Sequence, residues 1–232
     1  MTFPDDFLIN NRWPAKDPSV IQLYSFPTPN GVKVSLMLEE TGLPYEAHTV
    51  TLSDADVKSP EFLSLNPNNK IPAIIDPSAE GGPIGVFESG AILIYLAEKS
   101  GKFLSTDPAK RAETLQWLMF QMGGLGPMFG QLGFFTKFAG AEIEDPRPRE
   151  RYINEGKRIL NVLNGALEGK DWIVGEYSIA DMAIGPWLTA LDFYGAKEVL
   201  DYASFENVVA YEQRFLARPT VQRARNIPPR PE

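Results

Sequence analysis

Three short stretches carry side chains that could do chemistry together. The first is Tyr24-Ser25-Phe26-Pro27-Thr28-Pro29-Asn30-Gly31. It separates an apolar run, Val20 to Tyr24, from a helical pattern that begins at Val32. A strand, a turn and a helix start would put the N–H groups of a first helical turn beside Thr28 and Asn30. Such a place favours an anion, a thiolate included, because partial positive charge gathers at a helix N-terminus. The same residue types also serve as ordinary caps, and taken alone the stretch reads as a capped turn.

The second stretch is Glu88-Ser89-Gly90, which opens a periodic helix with Ile92, Leu93, Tyr95 and Leu96. Ser89 is a natural N-cap, and Glu88 adds negative charge at the favourable end. The pair also suits a zwitterion: Glu88 would take an ammonium, while the Ser89 hydroxyl and the helix N–H groups would hold a carboxylate. The third stretch is Asn68-Asn69-Lys70-Ile71-Pro72-Ala73-Ile74-Ile75. Pro72 stands where a buried strand starts and cannot donate to a ladder. The Ile71–Pro72 bond is a candidate cis peptide. Ile71 would then present its backbone to something other than the sheet.

The elements that must position these residues follow from periodicity and breakers. Residues 20–101 read β-α-β-α-β-β-α, with strands near 20–24, 45–50, 73–75 and 84–87. The first helix should stop at Gly42, the helix after Ser89 at Gly101, and Ser59-Pro60-Glu61 should start a short one. Ser105-Thr106-Asp107-Pro108 reads as a linker. Beyond it the pattern is helical, interrupted at Gly123-Gly124-Leu125-Gly126-Pro127. Ser178-Ile179-Ala180-Asp181 has capping-box spacing ahead of a nearly all-apolar helix, and a final helix should end at Pro219. The expected division is an arm at 1–19 anchored by Phe7 and Trp13, an α/β domain at 20–104, an all-α domain at 109–225 and a frayed tail at 226–232.

Composition narrows the chemistry. The chain has 232 residues, enough for a sizeable core, and a net charge of −8 with no basic tract, which argues against nucleic acid and anionic membrane as partners. No apolar run is long enough to span a bilayer, and the first nineteen residues lack the apolar core of a secretory signal. There is no cysteine and a single histidine, His48, read as a plain strand residue. A disulfide, a thiolate metal site and a protein thiol nucleophile are therefore excluded, and no metal is expected. Any thiol chemistry must use sulfur on a ligand. The absence of cysteine fits a reducing, cytoplasmic setting.

Thr28-Pro29-Asn30-Gly31, Asn68-Asn69-Lys70-Ile71-Pro72-Ala73-Ile74 and Phe87-Glu88-Ser89-Gly90-Ala91-Ile92 occur in this order before a helical region. Together they resemble a cytosolic glutathione transferase. With Leu115-Gln116-Trp117 and Gly123-Gly124-Leu125-Gly126-Pro127-Met128, the chain resembles the bacterial Nu class and the fungal class named after the yeast nitrogen-regulator prion protein. The resemblance implies a thioredoxin-like N-terminal domain, an all-helical C-terminal domain, a homodimer and a glutathione site between the domains. By the same resemblance, Thr28 and Asn30 contact the glutathione sulfur, and Ile71, before a cis Pro72, pairs with the cysteinyl backbone. Lys70 meets the glycyl carboxylate, Glu88 and Ser89 hold the γ-glutamyl end, and Arg151 lies near the ligand carboxylates. Arg151 also reads as a solvated helix charge.

The leading expectation is a glutathione-dependent disulfide oxidoreductase that binds two glutathiones or one glutathione disulfide, with peroxide reduction as a side activity. The alternatives are a transferase that conjugates electrophiles, with Phe129, Phe134, Phe135 and Phe138 as pocket wall, and a non-catalytic glutathione-binding regulator. Tyr24 and Ser25 stand close enough in sequence to be rival thiol activators, with Tyr24 read as a packing residue.

Overall fold

The computed structural model describes residues 7–231; residues 1–6 of the expected arm and residue 232 lie outside the described residues. The chain divides into two units. The first takes the residues up to Lys102 and those from Pro219 onward, and the second runs from Phe103 to Arg218.

In the first unit, strands β1 (Ile21–Ser25), β2 (Tyr45–Thr49), β3 (Ala73–Asp76) and β4 (Ile84–Phe87) form one sheet in the order β2-β1-β3-β4. β1 pairs with β2 in parallel, and β3 runs antiparallel to both β1 and β4. Every residue of β1 and β3 is buried, as befits central strands covered on both faces, whereas β4 alternates between half-buried and exposed. Helix α1 (Pro29–Thr41) makes the parallel crossover, capped by Thr28 and closed by Gly42 at φ 73°. This is the thioredoxin-like arrangement expected for the N-terminal half. The short helices α2 (Asp54–Val57) and α3 (Pro60–Leu65) follow, and Ser59 caps α3 as expected. Helix α4 (Ser89–Ser100) ends at Gly101 in the left-handed region.

The described part of the arm is anchored rather than loose. Residues Leu8–Asn11 form a 3-10 turn, and Ile9 is wholly buried in a cluster with Tyr24, Val50 and Phe62. Phe7 and Trp13 pack against that cluster as expected, and Trp13 Nε1 donates to the carbonyl of Thr49 at 3.0 Å.

The segment after Arg218 departs from the sequence reading, which carried the helical domain to 225 and left a frayed tail. Pro219 ends one helix but also occupies the first position of another, α10 (Pro219–Ala224). This helix packs on α1: Ser35 Oγ donates to the carbonyl of Ala224 at 2.9 Å, and Arg223 Nε meets Glu39 Oε2 at 2.7 Å. Further on, Thr49 Oγ1 donates to the carbonyl of Pro229 at 3.1 Å. The last residues are thus tied to the sheet unit by hydrogen bonds at both ends of the segment.

The second unit is helical, with α5 (Pro108–Phe120), α6 (Gly126–Lys137), α7 (Arg147–Ala166), α8 (Ile179–Tyr194) and α9 (Glu206–Leu216). The glycine-rich run does not break the helix. Gln121–Leu125 form a π-helical turn that carries α5 into α6. Gly126 leaves room there for two side chains, since a β-carbon would lie 2.5 Å from Gln121 Nε2 and 3.3 Å from the Trp187 ring. The capping box forms as expected: Asp181, fully buried, accepts from the N–H groups of Ser178 and Ile173 and from the Tyr211 hydroxyl. Helix α8 is buried from Ile179 to Leu188 and centres the core of this unit.

Candidate functional site

The register of the sheet decides where the three motifs meet. Tyr24 pairs with Ala73, and Ala73 pairs with Phe87. β1 ends one residue beyond Tyr24, β3 begins at Ala73 and β4 ends at Phe87. The Thr28 turn, Ile71–Pro72 and Glu88–Ser89 therefore leave one end of the sheet side by side. Three stretches far apart in sequence become one site because the two antiparallel pairings align a strand end, a strand start and another strand end.

The Thr28 turn is tightly held. Thr28 N–H donates to the carbonyl of Phe26 at 2.7 Å, a three-residue turn around Pro27. Thr28 Oγ1 then accepts the N–H of Gly31 at 3.3 Å, so its capping role is realised. A hydroxyl that accepts in the cap still has a proton to donate to an anion. Thr28 and Asn30 are both half-buried on the first turn of α1.

The Ile71–Pro72 peptide is cis. Ile71 lies beyond the last ladder pair, and Pro72 has no N–H with which to extend it. Lys70 is exposed, and its carbonyl is held by the side-chain amide of Asn66.

At the third motif the structure shifts the cap by one residue. Ser89 was expected as N-cap, but Glu88 is the flanking residue and Ser89 the first of α4. Glu88 adopts φ 72° and ψ 114°, a conformation that residues with a β-carbon rarely take, and it is exposed. Ser89 is buried, and its Oγ accepts from Lys33 Nζ at 3.2 Å. Lys33 is a site-adjacent residue that the sequence reading passed over. The available signal was a lysine inside the apolar run Val32-Lys33-Val34 of a buried helix.

The remaining candidates differ in their surroundings. Arg151 lies on α7 of the second unit, exposed, and its charge acts on Glu155. Tyr24 and Ser25 are wholly buried. Tyr24 stacks on His48 at 4.7 Å between ring centres, and burial drives its phenol well above the ordinary range, so it packs rather than activates a thiol. His48 is likewise a packing residue. Gln22 Nε2 donates to two carbonyls, which turns Gln22 Oε1 toward His48 Nε2 at 2.8 Å and assigns the ring proton to that nitrogen. Of the four phenylalanines considered as a pocket wall, Phe129 is a core residue and Phe135 stacks on Tyr152, while Phe134 and Phe138 are exposed. Among the described residues no cluster of three or more His, Asp or Glu could hold a metal, and no helix is long and apolar enough to cross a membrane.

The geometry and the comparisons with known proteins point the same way. Residues 19–98 match the model for the glutathione S-transferase N-terminal domain, and residues 128–219 match that for the C-terminal domain. The disulfide-bond oxidoreductase YfcG of Escherichia coli is 48% identical over 208 residues, covering 88% of this chain and 94% of its own. A glutathione transferase from Pseudomonas putida, solved with one glutathione disulfide bound per subunit, superposes with a TM-score of 0.94 at 59% identity, over 96% of this chain and 97% of that one. One from Burkholderia graminis, solved with two glutathione molecules per subunit, gives a TM-score of 0.96 at 57% identity, over 100% and 98%. Matched in both halves and almost end to end, the chain belongs to the glutathione S-transferase family.

Proposed function

We propose that the protein binds glutathione at the end of the sheet where β1, β3 and β4 converge, and uses the bound thiolate to reduce disulfides. The observation that carries this reading is the convergence itself, in a chain without cysteine. A turn at a helix start, a strand-like backbone beyond a ladder and an acid–hydroxyl pair at a second helix start match the parts of glutathione. These parts are a sulfur, a peptide backbone and a zwitterionic end.

Thr28 and Asn30 would hold the sulfur at the start of α1, where the hydroxyl proton and the helix dipole lower the thiol pKa. Ile71 would pair its backbone with the cysteinyl residue as an added strand. Lys70 and Arg151 would serve the ligand carboxylates, and Glu88 the ammonium. In the reaction the thiolate attacks one sulfur of the substrate, forming a mixed disulfide and releasing the other half as a thiolate that takes up a proton. A second glutathione thiolate attacks the glutathione sulfur of the mixed disulfide, giving glutathione disulfide and the second thiol. The protein supplies alignment and thiolate stabilisation; the electrons come from the two glutathiones. The names of the relatives, and the ligands in their structures, support this chemistry. The working form in this reading is a homodimer in a reducing cytoplasm, with peroxide reduction as a side activity.

The test is reduction of hydroxyethyl disulfide by glutathione, coupled to glutathione reductase. The wild type should turn over rapidly, and T28A/N30A should lose about 10²-fold in rate while remaining folded. Full activity in that double variant would remove both residues from the mechanism. Conjugation of apolar electrophiles is the second reading, favoured by the exposed rings of Phe134 and Phe138.

A further inference from the structure

Lys33 is wholly buried on α1, between Val32 and Val34, with its ammonium 3.2 Å from Ser89 Oγ. Packing alone does not call for it. A methionine would fill the same volume without the cost of taking an ammonium out of water. Two groups it acts on belong to the third motif: Ser89, which it touches, and Glu88, whose charge acts on it. An ammonium has no lone pair, so in this contact Ser89 Oγ is the acceptor and the hydroxyl proton must point away from Lys33. The cation also lies beneath the start of α4, where it adds to the positive end of the helix dipole.

We propose that Lys33 is a positioning residue for the γ-glutamyl end of glutathione. It sets the direction of the Ser89 hydroxyl and supplies positive potential for the carboxylate bound at the start of α4. The inference rests on the reading of Glu88 and Ser89 as the glutamyl subsite. Its consequence is that affinity depends on the Lys33 proton. Burial pulls the Lys33 pKa down to about 7, against the pull of Glu88. Of the other charges on the helices packed against α1, Lys99 of α4 pairs with Asp76 and Arg223 of α10 with Glu39, while Glu98 of α4 is exposed.

The experiment is calorimetric binding of S-methylglutathione, whose sulfur cannot ionise, to the wild type, K33M, S89A and K33M/S89A. K33M should bind about 10-fold more weakly, with an unfolding midpoint equal to or above that of the wild type. In the S89A background the further loss should be threefold or less, because Lys33 acts largely through Ser89. In turnover, the loss should appear in the KM for glutathione and leave kcat within about twofold. Unchanged affinity in K33M overturns the proposal. Unchanged affinity in S89A overturns the subsite reading beneath it, so the two failures are distinct. Should K33M not fold, K33Q, which keeps a long polar side chain without the charge, takes its place in the same titration, and unchanged affinity in it is a refutation.

Discussion

The carbonyl oxygen of Phe26 lies only 1.9 Å from where a β-carbon on Gly31 would stand, and Ser25 Oγ lies 2.6 Å from it. The first turn of α1 is thus laid directly over the turn that positions Thr28. The same carbonyl also accepts the Thr28 N–H, so it cannot move aside without undoing that turn. G31A should destabilise the protein by about 3 kcal/mol or more, because backbone rather than a flexible side chain must shift. Urea unfolding measures this, and any folded fraction should have lost disulfide reductase activity. A stable and active G31A would show that the Thr28 turn is not held as described.

Glu88 stands at φ 72° without the glycine that such a backbone favours. Strain of this kind costs about 1–3 kcal/mol and persists where surrounding structure or function requires the side chain. E88G should therefore leave stability unchanged or raise it by up to about 1 kcal/mol, after the extra freedom of glycine in the unfolded chain is counted. It should also raise the KM for glutathione about 10-fold. E88Q, which keeps the strain and removes the charge, should raise KM without the gain in stability. If E88G instead loses stability and keeps its KM, Glu88 is structural.

How much of this was readable from sequence depends on whether the partner is local. Thr28, Ser59, Gly42, Gly101 and the Ser178–Asp181 box were legible, because a cap bonds within four residues of itself. The three site motifs were legible for the same reason, as each sits on a strand–helix junction or a proline. What was not legible are the contacts across the fold. Lys33 meets Ser89 only because α1 and α4 pack together, so sequence alone offered a cap for Ser89 and no role for Lys33. Pro219 was read as an end and is also a beginning. The tail was read as frayed because its anchors, Thr49 and Pro27, lie near the start of the chain.

His48 is the single histidine, so its ring signals can be followed without assignment mutants. Burial lowers its pKa below the ordinary 6.5, and the nearby Glu46 opposes this only in part. An NMR titration should give a midpoint below 6.5. The sign for stability follows. Below 6.5 the unfolded chain binds the proton more readily than the folded one, so the contribution of His48 is complete above 6.5 and is lost as pH falls through the folded midpoint. H48Q should flatten that part of the stability profile. A midpoint above 6.5 would mean that the Glu46 charge outweighs burial and that the ring is charged in the fold, with Nε2–H still donating to Gln22.

Arg230 brings a cation from the end of the chain to the Thr28 turn. Its Nη2 lies 3.3 Å from the carbonyl oxygen of Pro27, and the guanidinium stands 5.6 Å from the centre of the Phe26 ring. Pro27 is the residue before Thr28, so this charge is close to the place assigned to the glutathione sulfur. A nearby cation favours a thiolate over a thiol, in proportion to its distance and to the screening around it. R230Q should raise the pKa of bound glutathione by a few tenths of a unit, read from thiolate absorbance across a pH series. Raising the salt concentration should shrink the difference between wild type and variant. Stability should change little, since a half-exposed contact to one carbonyl is worth on the order of 1 kcal/mol. A bound thiol pKa that is the same in both proteins at low salt would leave Arg230 a clasp for the tail and nothing more.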